Sequence, residues 1–154
     1  MRLFVDCEFT DFIDCDLVSL ALVANDGREF YGERSDFEQA SCSAFVREAV
    51  LPQLGQFPER VFTREALRTA LLAWLAQFAG EPARVLCFDY GGDWDLFVDL
   101  VGEVPSGWQA CHVGAAIDIV RLEAYFLAHG GRHHALHDAR ALQRSSQPDP
   151  LDLA

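Results

Sequence analysis

The chain has 154 residues, 51% of them apolar, which is the size and composition of one ordinary domain with its own hydrophobic core. No apolar run approaches the roughly 18 residues that a membrane span needs, so we expect no membrane partner. Acidic residues in the first strand-like segment also argue against a signal peptide, and we expect a soluble, unprocessed protein. The net charge of −12 disfavours a general binder of long duplexes. It leaves open an enzyme that meets a polyanion through bound divalent cations.

The five cysteines stand singly along the chain, with no C-x-x-C pair. An odd number without framework spacing is typical of a reducing compartment, where cysteine behaves as a small hydrophobic residue. The sequence therefore predicts a cytoplasmic protein, and the spacing disfavours a structural zinc site.

The first part of the chain predicts three strands. Arg2–Phe9 is the first, and Leu17–Ala24 is a nearly continuous apolar run, as expected of a strand covered on both faces. The turn Asn25-Asp26-Gly27 then leads to a hairpin partner at residues 29–33.

Two predicted helices follow, at residues 43–51 and 62–78. The first is expected to stop before Pro52, because the residue before a proline disfavours the helical region. The second has an apolar stripe that we expect to pack in the core; its members are Leu67, Leu71, Trp74, Leu75 and Phe78. A buried strand at 85–89 and a helix at 94–101 come next.

The last third predicts a strand at residues 108–113, an amphipathic helix at 115–127 that ends before Gly130-Gly131, and a helix from Ala135 to about Gln143. We therefore expect an α/β fold, a mixed sheet flanked by helices, in one domain over residues 1–143. Residues 144–154 are polar and proline-containing, and we expect a flexible C-terminal tail there.

Asp6 and Glu8 lie within the apolar first strand. Alternation places both on one face of the sheet with Phe4, while Leu3, Val5 and Cys7 face the other side. Two carboxylates side by side on a buried strand repel each other and lose solvation, and a divalent cation removes both costs. The alternative is a solvated strand end, which a lone D-x-E pair does not exclude.

A second acidic feature lies where a buried strand passes through Gly91-Gly92 into a helix. A carboxylate at this junction can reach the end of a neighbouring strand. Asp93, directly after the glycines, is the first candidate, and Asp89 and Asp95 are its rivals. The alternative is an acidic helix start that the helix dipole stabilises.

The third feature is a run with three histidines and one aspartate, residues 133–142, which reads H-x-A-L-x-D-A-x-A-L. His133 and Asp138 are five residues apart, so on one helix they would diverge by about 140°. They converge only if His133 lies in the loop after the glycines and Asp138 in the first helical turn. Surface histidines near a helix start are the alternative.

The three features occur in this order over residues 1–143, and together they resemble the DEDDh 3′→5′ exonuclease family. Ribonuclease T, oligoribonuclease and the proofreading subunit of bacterial replicative polymerase belong to this family. The likeness is greatest to compact bacterial 3′→5′ exoribonucleases, which open with a similar D-x-E-F strand. The resemblance implies a ribonuclease H-like fold.

The resemblance also implies a site. The metal-binding and catalytic carboxylates would be Asp6, Glu8, Asp93 and Asp138, and the catalytic general base would be His133. Two Mg²⁺ or Mn²⁺ ions would be the cofactors, since these hard cations prefer carboxylate oxygens. The middle motif departs from the usual N-x-x-F-D, which makes Asp93 the least secure of the four.

Residues just after the D-x-E contact the terminal nucleotide in this family, so Phe9 and Thr10 are the candidate substrate-binding residues, with a core position the alternative for Phe9. Trp94 could stack on a base, but a core position at a helix start is the simpler interpretation. Relatives also form dimers, which implies a homodimer with Trp108 or Phe126 as interface candidates.

The implied activity is hydrolysis of single-stranded RNA from its 3′ end with release of nucleoside monophosphates. One alternative is the same reaction on single-stranded DNA, because nothing in the sequence identifies a contact to the 2′-hydroxyl. The other is a catalytically silent module that binds nucleotide ends or a protein, although candidates for all five expected site residues are present.

Overall fold

A computed structural model of the chain describes residues 1–146, and its centre is one six-stranded sheet. The strands are β1 (Arg2–Phe9), β2 (Leu17–Ala24), β3 (Glu29–Arg34), β4 (Val61–Phe62), β5 (Arg84–Phe88) and β6 (Trp108–His112). They lie in the order β4-β3-β2-β1-β5-β6. The pairs β1–β2 and β2–β3 are antiparallel, whereas β1–β5, β5–β6 and β3–β4 are parallel. The predicted mixed sheet is confirmed.

Four α-helices flank the sheet: α1 (Arg64–Leu75), α2 (Gly91–Val101), α3 (Ile119–His129) and α4 (Ala135–Ser145). Leu3 and Val5 of β1 are fully buried in the main core with the apolar faces of α1 and α2. Phe4 points to the opposite face and packs with Leu142 of α4. The alternation predicted for β1 is therefore confirmed, and it leaves the Asp6 side of the sheet facing α4.

The predicted helix at 62–78 is in fact three elements: the end of a short strand, α1, and a 3₁₀ turn at Ala76–Phe78. Val61–Phe62 forms the short strand β4 beside β3, and Thr63 then caps α1 by accepting a hydrogen bond from the amide of Ala66. The start of the predicted helix was wrong because an apolar pair before a helix carries no periodicity that separates it from the helix. Leu67, Leu71 and Leu75 are buried as the stripe predicted.

The predicted helix at 43–51 ends in irregular turns. Val46–Val50 is π-helical, and Pro52 lies inside a following 3₁₀ turn, Leu51–Gln53, so the helical path does not stop before the proline. Proline is tolerated at the first positions of a helical turn, where its missing N–H leaves no bond unmade. α2 also begins three residues earlier than predicted, at Gly91.

The start of the predicted tail belongs to the folded part. α4 continues to Ser145, which is fully buried, and Ser146 forms a bridge with Ile117. The rest of the predicted tail, residues 147–154, lies outside the described residues. No helix within residues 1–146 is long and apolar enough to cross a membrane.

Candidate active site

A cleft of about 560 Å³ opens at the carboxyl ends of β1 and β5, beside the first turns of α2 and α4. Most of the acidic residues singled out in the sequence line it. The lining consists of Asp6, Cys7, Glu8, Phe9, Phe12, Phe45, Asp89, Tyr90, Asp93, His133 and Asp138. All five expected carboxylate and histidine positions line it, and they come from three separate segments of the sequence, residues 6–8, 93 and 133–138, so the fold assembles the site.

β1 contributes Asp6 and Glu8 from one face, as predicted. The pairing of β1 with β2 shifts register between Glu8 and Phe9. Such a bulge interrupts the alternation of side chains and re-aims the residues next to it. Phe9, next to this shift, lines the cleft beside Glu8 and also packs partly buried against the main core.

Asp93 lies in the first turn of α2 and is only 3% exposed. One of its carboxylate oxygens accepts a hydrogen bond from the backbone N–H of Cys7, at 3.1 Å, which ties α2 to β1. Asp89 follows directly after β5, and its carboxylate lies within 4.8 Å of those of Asp6 and Asp93. The structure therefore brings both Asp93 and its rival Asp89 to the site. Asp95 is exposed and lines an adjoining depression on the other side of the Phe9, Phe12 and Tyr90 rings.

His133 and Asp138 converge in the way that the sequence required. Gly130, Gly131 and His133 all have positive φ angles, of 64°, 76° and 66°, so the chain turns sharply before α4 begins at Ala135. The backbone N–H of His133 donates to the Asp138 carboxylate at 2.8 Å. Ligand atoms of Glu8, His133 and Asp138 all lie within 4.8 Å of one another. The predicted loop-to-helix boundary is confirmed.

The carboxylates of the cleft destabilise one another's charges. Burial, and then the negative charges of Asp93 and Asp138, raise the pKa of Asp6 well above its usual range. Burial followed by Asp138 raises the pKa of Glu8. Burial and Asp89 raise the pKa of Asp93, and burial also raises that of Asp138 although the His133 N–H opposes the change. A site with these properties is a strong attractor for cations.

Only one of the three clustered histidines lines the cleft, and it is His133. Burial and then the charge of Arg132 lower its pKa, which favours the neutral ring. His134 is 2% exposed and stacks on Tyr31 with ring centroids 4.8 Å apart; burial lowers its pKa to about 4. His137 forms a hydrogen bond with the Tyr125 hydroxyl at 3.0 Å.

Aromatic side chains form two walls of the cleft. On one side Phe9 lies 5.3 Å from Phe12 and 6.1 Å from Tyr90 between ring centroids. On the other side Phe45 meets the His133 ring edge-on at 4.9 Å. Phe12, Phe45 and Tyr90 are 77%, 55% and 48% exposed, which is unusual for large apolar rings. The sequence analysis missed these three, because loop aromatics carry no periodicity that separates a binding wall from a core.

The remaining residues singled out in the sequence lie elsewhere. Thr10 is buried and its hydroxyl accepts a hydrogen bond from the Asp16 amide at 3.0 Å, so it is not among the residues that line the cleft. Trp94 stacks between Phe88 and Phe97 at the edge of the core, which confirms the simpler interpretation of this residue. Trp108, an interface candidate, packs partly buried against the core.

The donor set fits a pair of divalent cations. Its two groups are Asp6, Asp89 and Asp93 on one side and Glu8, His133 and Asp138 on the other. Carboxylate oxygens dominate both groups, as Mg²⁺ and Mn²⁺ prefer. Cations would also remove the mutual repulsion that raises the four pKa values.

Solved structures share this architecture. Cell-death related nuclease 4 (CRN-4) matches with a TM-score of 0.53 and 13% identity over 93% of this chain and 62% of its own. Exonuclease I from Methylocaldum szegediense matches with a TM-score of 0.53 and 17% identity over 91% of this chain and 38% of its own. The chain has the ribonuclease H-like fold, with a mixed sheet flanked by helices, as predicted.

Two curated sequences are also similar to part of the chain. They are the 3′-5′ exoribonucleases MT2234.1 and Rv2179c from two strains of Mycobacterium tuberculosis, each 42% identical over 55 residues. The match covers 35% of this chain and 33% of each relative, so it spans only a third of the relatives' length. No family profile matches the chain.

Proposed function

We propose that this protein is a divalent-metal-dependent 3′→5′ exonuclease of the DEDDh type, which hydrolyses single-stranded RNA from its 3′ end to nucleoside monophosphates. The observation that carries the proposal is the meeting of two potential metal-ligand groups in one cleft, with His133 in the second group. The similarity to exoribonucleases and the exonuclease fold support the same activity.

Asp6 and Asp93 would hold one cation, with Asp89 as a further donor, and Glu8 and Asp138 would hold the other. When bound, two Mg²⁺ or Mn²⁺ ions supply positive charge for the scissile phosphate and for the oxygens that attack and leave. The hydrogen bond from Cys7 fixes the Asp93 carboxylate, so α2 cannot shift relative to β1 without breaking it. The ligands are therefore preorganised by the sheet.

His133 is the group that accepts the proton of the attacking water. Its ring lines the cleft, and its pKa is lowered by burial, so the neutral form that can accept a proton predominates at neutral pH. The backbone N–H of His133 donates a hydrogen bond to Asp138, and Phe45 packs against the imidazole ring. Both contacts restrict the position from which the ring can act.

Phe9, Phe12 and Tyr90 provide flat apolar surfaces beside the carboxylates, where the bases of a single strand can stack. A duplex end would have to unpair to use them. We propose RNA rather than DNA as the substrate because the curated relatives are named exoribonucleases. Single-stranded DNA is the comparison that tests this part of the proposal.

The test is digestion of matched 5′-labelled RNA and DNA decamers with Mn²⁺, Mg²⁺ or a chelator. With Mn²⁺ or Mg²⁺ we expect a ladder of RNA products that shortens from the 3′ end, and with the chelator we expect no ladder. Cleavage should be at least about a hundredfold slower in Asp6→Asn, since the loss of even an outer-shell partner of a metal lowers activity by up to that factor. Asp95→Asn is the matched control, because Asp95 is exposed and outside both ligand groups. Intact RNA with folded protein under every metal condition would favour the silent binding module.

A further inference from the structure

The loop that carries His133 is held in a backbone conformation that its sequence alone does not favour. His133 has a φ of 66°, in the left-handed region that residues with a side chain seldom adopt. The two glycines before it, Gly130 and Gly131, reach positive φ freely, but a histidine does not. Contacts from outside the loop must therefore keep His133 in place.

On the amide side of His133, the contact is the hydrogen bond that its backbone N–H donates to the Asp138 carboxylate. On the carbonyl side it is Gln53, which lies in the 3₁₀ turn Leu51–Gln53, 80 residues earlier in the chain. The side-chain nitrogen of Gln53 donates to the carbonyl of Arg132 at 2.8 Å and to that of His133 at 3.2 Å. It also donates to the carbonyl of Ala49 at 2.8 Å.

Three carbonyl oxygens around one amide group identify the nitrogen end of Gln53 as the one that faces the loop, because the oxygen end could not be accommodated there. The contact is specific in chemistry as well as position. A side chain of equal size that lacks N–H donors would leave two carbonyls of the His133 loop without these bonds.

Gln53 is itself attached to the sheet. Two residues later, the backbone N–H of Gly55 donates to both oxygens of the Glu33 carboxylate, at 2.9 and 3.1 Å. Glu33 is 3% exposed, belongs to β3 and also accepts a hydrogen bond from the Tyr31 hydroxyl at 2.8 Å. The turn that carries Gln53 is therefore a rigid support rather than a free surface segment.

We propose that Gln53 is a positioning residue for His133: its side-chain amide fixes the carbonyl side of the loop so that the His133 ring stays in the cleft. This inference rests on the proposed function, in which His133 accepts the proton. Gln53 does not line the cleft, and it contacts His133 at the main-chain carbonyl rather than at a potential ligand atom. It therefore acts on turnover rather than on metal or substrate binding.

The test compares Gln53→Glu, which keeps the shape but places an acceptor against the carbonyls, with Gln53→Lys, whose ammonium restores three N–H donors. Gln56→Glu is the matched control, because Gln56 lies in the same loop, is exposed, and donates only to the carbonyl of Gln53 among the described contacts. We expect Gln53→Glu to lower kcat at least tenfold with KM and the Mn²⁺ half-saturation within twofold, and Gln53→Lys to recover most of the loss.

A double variant separates positioning from a general effect. If Gln53 acts through the histidine, Gln53→Glu costs little further activity in a His133→Ala background. An equal loss in both backgrounds, or a folded Gln53→Glu protein with kcat within twofold of the parent, overturns the inference. Gln53→Met replaces Gln53→Glu if circular dichroism shows that the glutamate variant is unfolded.

A measurement that needs no substrate distinguishes failure of this inference from failure of the proposed function. The His133 amide is held by Asp138 only while the loop keeps its shape, so its hydrogen exchange reports the loop directly. Exchange at least tenfold faster in Gln53→Glu than in Gln56→Glu supports the positioning role even if no nucleic acid is cleaved. Equal exchange in the two variants overturns it.

Discussion

Replacing Asp6 by asparagine is expected to stabilise the metal-free protein while abolishing its activity. The substitution keeps the shape of the side chain and removes one negative charge from a cluster in which burial, Asp93 and Asp138 already raise the pKa of Asp6. Under the proposed function, the Asp6 carboxylate is thus a liability to the fold when no cation is bound.

The size of the expected gain in the free energy of unfolding follows from the distance between the carboxylates. Ligand oxygens of Asp6 and Asp93 lie within 4.8 Å, and at an effective dielectric constant of about 20 two unit charges at that distance repel by about 3.5 kcal/mol. Partial protonation at neutral pH relieves some of this, and the exposed Asp89 adds little because solvent screens it. We expect a gain of about 2 kcal/mol, which for a chain of this size raises Tm by about 4–8 °C.

The effect should depend on pH. The cluster carboxylates have folded-state pKa values raised above their unfolded values, so the folded protein holds their protons more tightly. Their contribution to stability is therefore complete below about pH 4 and is lost as pH rises through the raised values. The advantage of Asp6→Asn should accordingly be larger at pH 8 than at pH 5.

The assay is thermal unfolding followed by circular dichroism, with a chelator or with Mn²⁺, beside Asp95→Asn. An ion that binds only the native state at a hundred times its Kd stabilises it by about 2.7 kcal/mol, so Mn²⁺ should raise Tm of the parent and of Asp95→Asn more than that of Asp6→Asn. A metal-free Asp6→Asn protein that melts below the parent, or Mn²⁺ shifts of equal size in both, would refute the reasoning.

Three further predictions concern single side chains. His133→Ala should lower kcat by about 10²–10⁴-fold, the usual contribution of a general base, with Mn²⁺-dependent stabilisation retained; kcat within threefold of the parent would exclude that role. Phe12→Ala should raise KM for RNA between about fivefold and a hundredfold, from about 1–3 kcal/mol of stacking, without a change in Tm because the ring is 77% exposed; an unchanged KM would contradict stacking. His134→Phe should leave activity intact. It should also stabilise the protein relative to the parent, increasingly as pH falls from about 6.5 to 4 and by up to about 3 kcal/mol. The reason is that the buried ring of His134 resists the proton that the unfolded chain accepts. Chemical denaturation at pH 7 and pH 4.5 measures this, and an equal free energy of unfolding for parent and variant at pH 4.5 would contradict it.

Five of the six strands and the last helix could be predicted from local pattern. β1 and β2 have the bounds that their apolar runs indicated, and α4 begins at the predicted Ala135. Element boundaries failed where the pattern is ambiguous, at β4, which precedes a helix, and at the irregular turns around Pro52. In these places the apolar periodicity fits a helix as well as the observed strand or turn, and tertiary contacts decide between them.

The sequence by itself determined which local side-chain groups are available to the candidate site. D-x-E on a buried strand, a histidine and an aspartate at one helix start, and the alternation that places Asp6 and Glu8 together all follow from local rules. Only the tertiary structure decided which other groups join them. Asp89 reaches the site beside Asp93, Phe12 and Tyr90 form a wall, and Gln53 meets the His133 loop across 80 residues. These are contacts between distant segments, and the spacing of residues along a chain does not encode distances between segments that the fold brings together.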